Sequence, residues 1–360
     1  MAAQSVTVRP DSLKRFAAAA LARAGVPPDQ AADAADVLVW ANLHGIDTHG
    51  VRNLKRFYVD GVAEGRIKAV PEFRIEQETS VTARVDGDQG LGLVVGPWAM
   101  RLAMQKARDH GIGIVVVRNS HHYGAAGYHA MQAVAQEMIG ISLTGHLLHD
   151  GATMGVVPTF GKTPRLSTNP ISIACPTGVE PAFLLDIATS ITPMNRIWLY
   201  QETGRTIPPG WALDEEGLPT TDPFAVRRLL PLGGARETGG HKGYALSVTV
   251  EVLCALLSGG WERNAEGQYV QTGDAHFFGA IRVDAFRAVT DFKDGMDALI
   301  QSLHATEPLD PAQPVLVPGE PEAQARQARS QAGIPLAPNV VEDIQVLAAQ
   351  YDIPLPFDGA

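Results

Sequence analysis

Three segments gather side chains that can move protons or hold anions. The first is His44-Gly-Ile-Asp-Thr-His-Gly-Val51. His49 falls at the predicted start of a helix, where the positive end of the dipole favours a neutral imidazole. With the Thr48 hydroxyl beside it and a distant carboxylate to fix its tautomer, this imidazole suits proton exchange in carbonyl reduction. A plainer reading makes Asp47 or Thr48 an N-cap and His49 a solvent-facing first-turn residue. The second segment is Arg118-Asn-Ser-His-His-Tyr-Gly-Ala-Ala-Gly127, which leaves an apolar strand and enters a helix. Its small residues let a ligand approach the backbone, a helix N-terminus attracts anions, and Asn119, Ser120 and His122 add donors. It reads equally as a capped turn with exposed histidines. The third, Gly239-Gly-His-Lys-Gly-Tyr244, opens a long apolar helix. There Lys242 is placed for an anion or carboxamide, or is simply a solvated lysine.

Two other patterns argue against alternatives. Histidines are dense at His121, His122, His129, His146 and His149, next to Asp150, but the spacing matches no zinc signature, and no metal is expected. The stretch Gly87–Gly96 reads GDQGLGLVVG, not GxGxxG, so a Rossmann pyrophosphate turn is absent. A formal charge of -10, with no basic run, disfavours nucleic acid. Neither a signal peptide nor ~20 apolar residues in a row is present, so no membrane partner is expected and the cytoplasm is the default location. Cys175 and Cys254 sit in apolar runs and read as reduced, buried thiols.

Several elements have to position these segments. Asp11 or Ser12 is predicted to cap a first helix carrying Leu13, Phe16, Ala17, Ala20 and Leu21, stopped by Gly25. Pro27 and Pro28 open a second helix, and Asp47 or Thr48 a third carrying Val51, Leu54 and Tyr58. FRIEQETSVTARVDG alternates as strand or hairpin, and a helix follows with Pro97 in its first turn. Strands are predicted at GIVVV (113–117), IGISLTG, ISIACP, PAFLLDIAT and FFGAIRVDAF, and helices at AAGYHAMQAVAQEM and from about Gly243 to Leu257. EPLDPAQPVLVPGEPE is a long loop before two closing helices near 321–332 and 339–350. The expected fold is α+β: residues 1–70 with 290–360 form a helical domain built from both termini, and 71–289 form a mixed-sheet α/β domain.

Taken in order, GIDTHGV, DGDQGLG, VVRNSHHYGAAGY, STNPISIACP, DIATS, IPPGWALDEEGLPTTDP, GGHKGYALSV and VPGEPE resemble the malate/L-lactate dehydrogenase family. That non-Rossmann family also holds ureidoglycolate, sulfolactate and diketogulonate enzymes and a cyclic-imine reductase. The resemblance implies a homodimeric NAD(P)-dependent oxidoreductase, with NAD or NADP as cofactor, bound by the 71–289 domain as a mixed-sheet cofactor-binding domain of non-Rossmann type, and a small 2-oxo or 2-hydroxy acid as substrate. It implies that His49 gives the proton, with Thr48 as relay and Asp186 as the completing carboxylate, and that His122 lies by nicotinamide and substrate. The cofactor would be lined by His122, Tyr123, Gly124, Ala125, Ala126, Thr168, Asp186, Ile187, Ala188, Lys242, Pro318, Gly319 and Glu320.

The chain departs from the family pattern in three places. The arginine expected four residues after the histidine, which would clamp the substrate carboxylate, is Asn53 here, and an arginine comes one residue earlier at Arg52. Arg52, Asn53 and Arg56 are the substrate-binding candidates, with Arg118 a further cation. Gly145–Lys162 is longer than usual, and Gly145 stands where the family has asparagine. Met194–Tyr200 replaces a small residue, glycine and lysine. These departures keep a cyclic 2-imino acid reductase open as an alternative. A zinc hydrolase and a non-catalytic binding protein are the remaining contrasts.

Overall fold

The structure, a computed structural model, describes residues 6–149, 152 and 154–357. Alternating apolar residues build one mixed seven-stranded sheet. Its strands are β1 (Arg74–Glu78), β2 (Thr82–Gly90), β3 (Ile112–Ser120), β4 (Met138–Gly145), β5 (Ile171–Cys175), β6 (Phe183–Ile187) and β7 (Asp274–Arg282), in spatial order β1-β2-β3-β7-β4-β5-β6. Only β2 and β3 pair in parallel; the remaining pairs are antiparallel. Side chains alternate across it, as period-2 geometry requires. Val115, Val117 and Phe278 enter one core, Val116 and Phe277 the other.

Helices cover both faces. The first core is closed by α3 (Gly92–His110) and α4 (Ala126–Val134), the second by α6 (Gly240–Glu251) and its π-helical continuation Val252–Leu256. A separate apolar core joins the ends of the chain. It holds Leu13, Phe16 and Leu21 of α1 (Pro10–Arg23), Val37 and Leu38 of α2 (Pro28–Leu43), and Val340, Ile344 and Leu347 of α9 (Pro338–Tyr351). Strand Val6–Val8 pairs antiparallel with Ile334–Leu336 at its edge. The architecture is therefore α+β, with a mixed sheet and a helical layer drawn from both ends.

Several local expectations are corrected. α1 begins at Pro10 with Arg9 as its cap and no side-chain cap bond, so Asp11 and Ser12 lie in the first turn. α3 begins at Gly92, which puts Pro97 inside the helix. Helices α5 (Met194–Glu202) and α7 (Val289–His304) had no sequence expectation. Among the residues of α7 only Ile300 is buried, although Phe292, Met296 and Leu303 follow helical spacing, and its Asp297 caps the β5–β6 turn by accepting from Gly178 N (2.9 Å) and Val179 N (2.7 Å). A small four-stranded sheet of two-residue strands (Gly155–Val156, Ala212–Leu213, Pro219–Thr220, Arg228–Leu229) is too short for its alternation to register. Helix α8 (Glu320–Ala332) completes the set.

Leu347 is fully buried near the chain's end. Leu347→Ala should therefore cost about 2–5 kcal/mol of unfolding free energy by urea titration. A change under ~0.5 kcal/mol would mean that α9 is a surface tail rather than a wall of the shared core.

Candidate active site

The segment after α2 does not form the continuous helix expected from Asp47 or Thr48. It makes a 3-10 turn (Asp47–His49), an extended Gly50, a second 3-10 turn (Val51–Asn53) and a π-helical stretch (Leu54–Val59). Neither Asp47 nor Thr48 caps it by side chain. Other groups pin it instead. Arg329 of α8 donates to both oxygens of Asp47 (2.6 and 2.9 Å) and to the carbonyl of Asn42. Asn42 donates to Asp47 (2.7 Å) and accepts from Val51 N (2.9 Å). The Thr48 carbonyl accepts from Asn53 Nδ2 (3.0 Å) and from Asn195 Nδ2 of α5. A Cβ at Gly50 would lie 2.2 Å from Asn42 Oδ1, so only glycine fits.

This bracing presents His49. Its Nδ1 lies 2.9 Å from Thr48 Oγ1. Loss of solvent, and then the neighbouring His122, pushes its pKa down to about 3, so the ring is neutral at physiological pH. The cause differs from the expectation, because a three-residue turn has no useful dipole and burial does the work. The His122 ring lies 5.7 Å away, its plane within 17° of that of His49. Its Nδ1 accepts from Tyr58 Oη (2.6 Å) and Gly124 N (3.3 Å), which selects the neutral tautomer protonated at Nε2. Desolvation likewise lowers the His122 pKa. Adjacent residues Phe57 and Tyr58 both reach this ring, at 5.7 and 5.9 Å.

The remaining histidines divide by role. Tyr123 is stacked between His129 (4.4 Å) and His276 (4.7 Å), so it is an interior residue. His146 pairs with Asp274 at 2.9 Å, which raises its pKa. Asp150 lies outside the described residues. Among those described, no three ligating side chains converge on a metal position.

Three of the predicted cofactor segments are joined by hydrogen bonds. Gly124–Ala126 leads into α4, whose Gly127 N donates to Asp186 Oδ2 (2.8 Å). Asp186, with Ile187 and Ala188 after it, ends β6; loss of solvent pushes its carboxyl up to about 7. Leu184 N donates to the Pro318 carbonyl (3.2 Å), and Gly319 and Glu320 open α8. Thr168 accepts from Thr189 N (2.9 Å), tying its loop to the end of β6. A cavity of about 340 Å³ lies there, lined by His44, Leu184, Gly319, Glu322 and Arg326 among others. Two expectations need correcting. The hydrogen-bond partner of Asp186 is Gly127, not the Thr48–His49 pair. Lys242 is exposed, and the glycine at the start of its helix is set by packing: a Cβ at Gly240 would lie 1.9 Å from the Gly234 carbonyl.

The substrate-binding candidates separate as well. Arg52 is held in a two-pronged ion pair with Glu202 of α5. Asn53 is buried as a brace for Thr48. Arg118 is bound by Glu76, Asp86 and Glu262. Arg56 is exposed, with its guanidinium 4.6 Å from the Trp198 ring and 5.7 Å from that of Phe57, and it has no carboxylate partner among the described residues. Sequence reasoning missed Asn42, Asn195, Arg329 and the bond from Tyr58 to His122.

A family model described as malate/L-lactate dehydrogenase matches residues 8–345. The chain belongs to this family. Within it, the chain is 40% identical over 354 residues to a malate dehydrogenase of Pyrococcus horikoshii, covering 97% of this chain and 96% of the relative. The malate dehydrogenase structure from Entamoeba histolytica superposes with a TM-score of 0.90 at 33% identity, covering 98% of this chain and all of that one. The delta1-piperideine-2-carboxylate reductase structure of Pseudomonas syringae gives 0.79 at 27%, covering 95% and 100%. As a member of this dehydrogenase family the chain is an oxidoreductase, and His49, His122 and Asp186 occupy the motifs that carried the resemblance.

The histidines also set the acid stability of the fold. His44, His49, His129 and His276 are pushed down to about 3 to 4, and His121 and His122 are lowered too, all mainly by desolvation. Their folded values lie below the unfolded one near 6.5, so the unfolded chain takes up protons that the fold refuses, and stability is lost as pH falls through 6.5. Asp186 and Glu251, both pushed up to about 7, and the raised His146 work in the opposite direction, but they are fewer. Tm should fall between pH 7.5 and pH 5 in a calorimetric series; a flat or rising Tm contradicts this balance.

Proposed function

We propose that the protein is an NAD(P)-dependent dehydrogenase that interconverts a small 2-hydroxy acid and its 2-oxo acid. The observation that carries this is the pair of neutral imidazoles, His49 and His122, facing each other beside a backbone run bound to Asp186. The residues fit a dinucleotide: segment 124–127 is hydrogen-bonded to Asp186 and Leu184 to Pro318, and Leu184 and Gly319 also line the cavity beside α8. His122, Gly124 to Ala126, Thr168, Asp186 to Ala188 and Pro318 to Glu320 would hold it, with Lys242 at an exposed edge and Tyr123 packed in the interior behind them. When bound, the nicotinamide supplies or accepts the hydride.

The chain's own residues handle the proton and the charge. With Nδ1–H donating to Thr48 Oγ1, His49 keeps Nε2 free to take the hydroxyl proton of a 2-hydroxy acid. In reduction the imidazolium returns it, and the incoming substrate carboxylate stabilises that cation. We assign the carboxylate to Arg56, the free cation one turn beyond the braced loop. Asp186 anchors the cofactor-facing end of α4 in this scheme.

His49→Ala should lower kcat by roughly 10²–10⁴ in both directions while leaving NADH or NADPH binding, read by fluorescence titration, unchanged. Normal turnover by this variant would refute the assignment. In the wild type, kcat/KM for oxidation should be level from about pH 5 upward, because His49 is already a neutral base, while kcat/KM for reduction should fall as pH rises. The opposite slopes would remove His49 from the proton transfer.

A cyclic 2-imino acid is the second reading. It is favoured by the withdrawal of Arg52 onto Glu202 and by the likeness to the piperideine-carboxylate reductase. Parallel assays on 2-oxo and cyclic 2-imino acids separate the two. A homodimer fits the exposed apolar strip Leu246, Val248, Val252, Leu256 and Leu257 on α6 and its continuation. The cytoplasm fits the free Cys175 and Cys254.

A further inference from the structure

Helix α5 lies across the His49 segment and touches it at three points. Asn195 donates to the Thr48 carbonyl, Glu202 holds Arg52 in a two-pronged pair, and the Trp198 ring lies under the Arg56 guanidinium at 4.6 Å. These residues are spaced i, i+3 and i+7, so they share one face of the helix. The opposite side is fastened by Ile197, which is fully buried in the small-sheet core with Val156, Leu166 and Leu229. The helix is thus an anchored bar rather than a loose cover.

We propose that α5 is the positioning element of the substrate side, and that Trp198 is the residue that holds Arg56 ready for the substrate carboxylate. This rests on the reading above that Arg56 takes that carboxylate. An exposed arginine samples many rotamers, and ordering it on binding costs entropy. A flat indole under the guanidinium limits those rotamers while leaving its N–H edge open, because cation–π stacking uses the face of the cation and carboxylate binding its edge. Glu202 adds a second restriction. It occupies the fork of Arg52, so one guanidinium and not two is offered to an incoming acid. Asn195 fixes the Thr48 carbonyl, keeping the His49 turn in register with that cation.

The test is a double-mutant cycle on KM and kcat, run with a 2-oxo acid and with its carboxamide. Arg56→Ala should raise KM for the acid about ten- to a hundredfold, the loss of a charged hydrogen-bonded contact. Trp198→Ala should raise it about two- to fivefold with kcat nearly unchanged, and Trp198→Phe should restore it. In the Arg56→Ala background, Trp198→Ala should add nothing, and neither change should alter KM for the carboxamide. Should Trp198→Ala destabilise the fold, Trp198→Phe against Trp198→Leu reads ring against aliphatic bulk on the same scale. Multiplicative effects, or an unchanged KM in both Trp198→Ala and Trp198→Leu alongside a raised KM in Arg56→Ala, overturn the role of Trp198 alone. An unchanged KM in Arg56→Ala overturns the carboxylate reading, and the role of Trp198 falls with it.

Discussion

The candidate site depends on one ion pair. Arg329 reaches from α8 to Asp47 and to the carbonyl of Asn42, across 282 and 287 residues of sequence. Through Asn42 that contact fixes the Val51 amide, and through the fit of Gly50 against Asn42 it fixes the turn that carries His49. The side chains are partly exposed, so the pair alone adds modest stability. Its importance is geometric. A two-pronged arginine–carboxylate contact has one good orientation, and the loop inherits it. The shared core of α1, α2 and α9 can be understood the same way: it brings the C-terminal helices to where Arg329 has to stand.

Water exclusion is the second constraint. Neutral imidazoles at His49 and His122 follow from enclosure, since neither has a carboxylate within hydrogen-bond reach and His122 further depresses the protonation of His49. The same enclosure raises Asp186, which is kept usable by the amide of Gly127. One cause therefore moves bases down and an acid up: His49 and His122 stay neutral at working pH, while Asp186 comes to titrate near neutrality. The interior histidines pay the same desolvation without the chemistry. Stacking on Tyr123 and bonds to a carbonyl and a hydroxyl explain why His129 and His276 are tolerated there.

Much of the fold was legible because its long strands alternate and its long helices carry apolar stripes. His49 and His122 stood out as candidates from residue type and local spacing, while Asp186 came only from the family resemblance. What was not legible is non-local. Nothing near Arg329, Asn195 or Asn42 marks them as partners of one loop, and a hydroxyl at Tyr58 reads as half-apolar core until His122 is placed beside it. The two-residue strands of the small sheet fail for a different reason, since they are too short to show a period, whereas α7 does repeat apolar residues at helical spacing, from Phe292 through Met296 and Ile300 to Leu303, and was simply missed. The helix-dipole account of His49 failed because the helix was assumed from composition, while Gly50 breaks it after a single turn.

The displaced arginine connects these points. At position 53, four residues after His49, the side chain turns inward to the Thr48 carbonyl and is buried, so a small amide serves there as a brace. At position 52 the cation faces α5 and is neutralised by Glu202. The π-helical stretch that follows holds more residues per turn than an α-helix, a local distortion frequent at functional sites. It is this stretch that brings Phe57 and Tyr58 together onto His122 while carrying Arg56 out over Trp198. A cation on an exposed turn, as Arg56 is, lacks the order that a braced loop would give it. A packed aromatic face beneath it is the economical way to restore that order without consuming its hydrogen-bond donors. The segment bearing Trp198 and the segment bearing Arg52 and Asn53, both read in the sequence as unlike the resembled family, meet each other in space through Glu202 and Asn195.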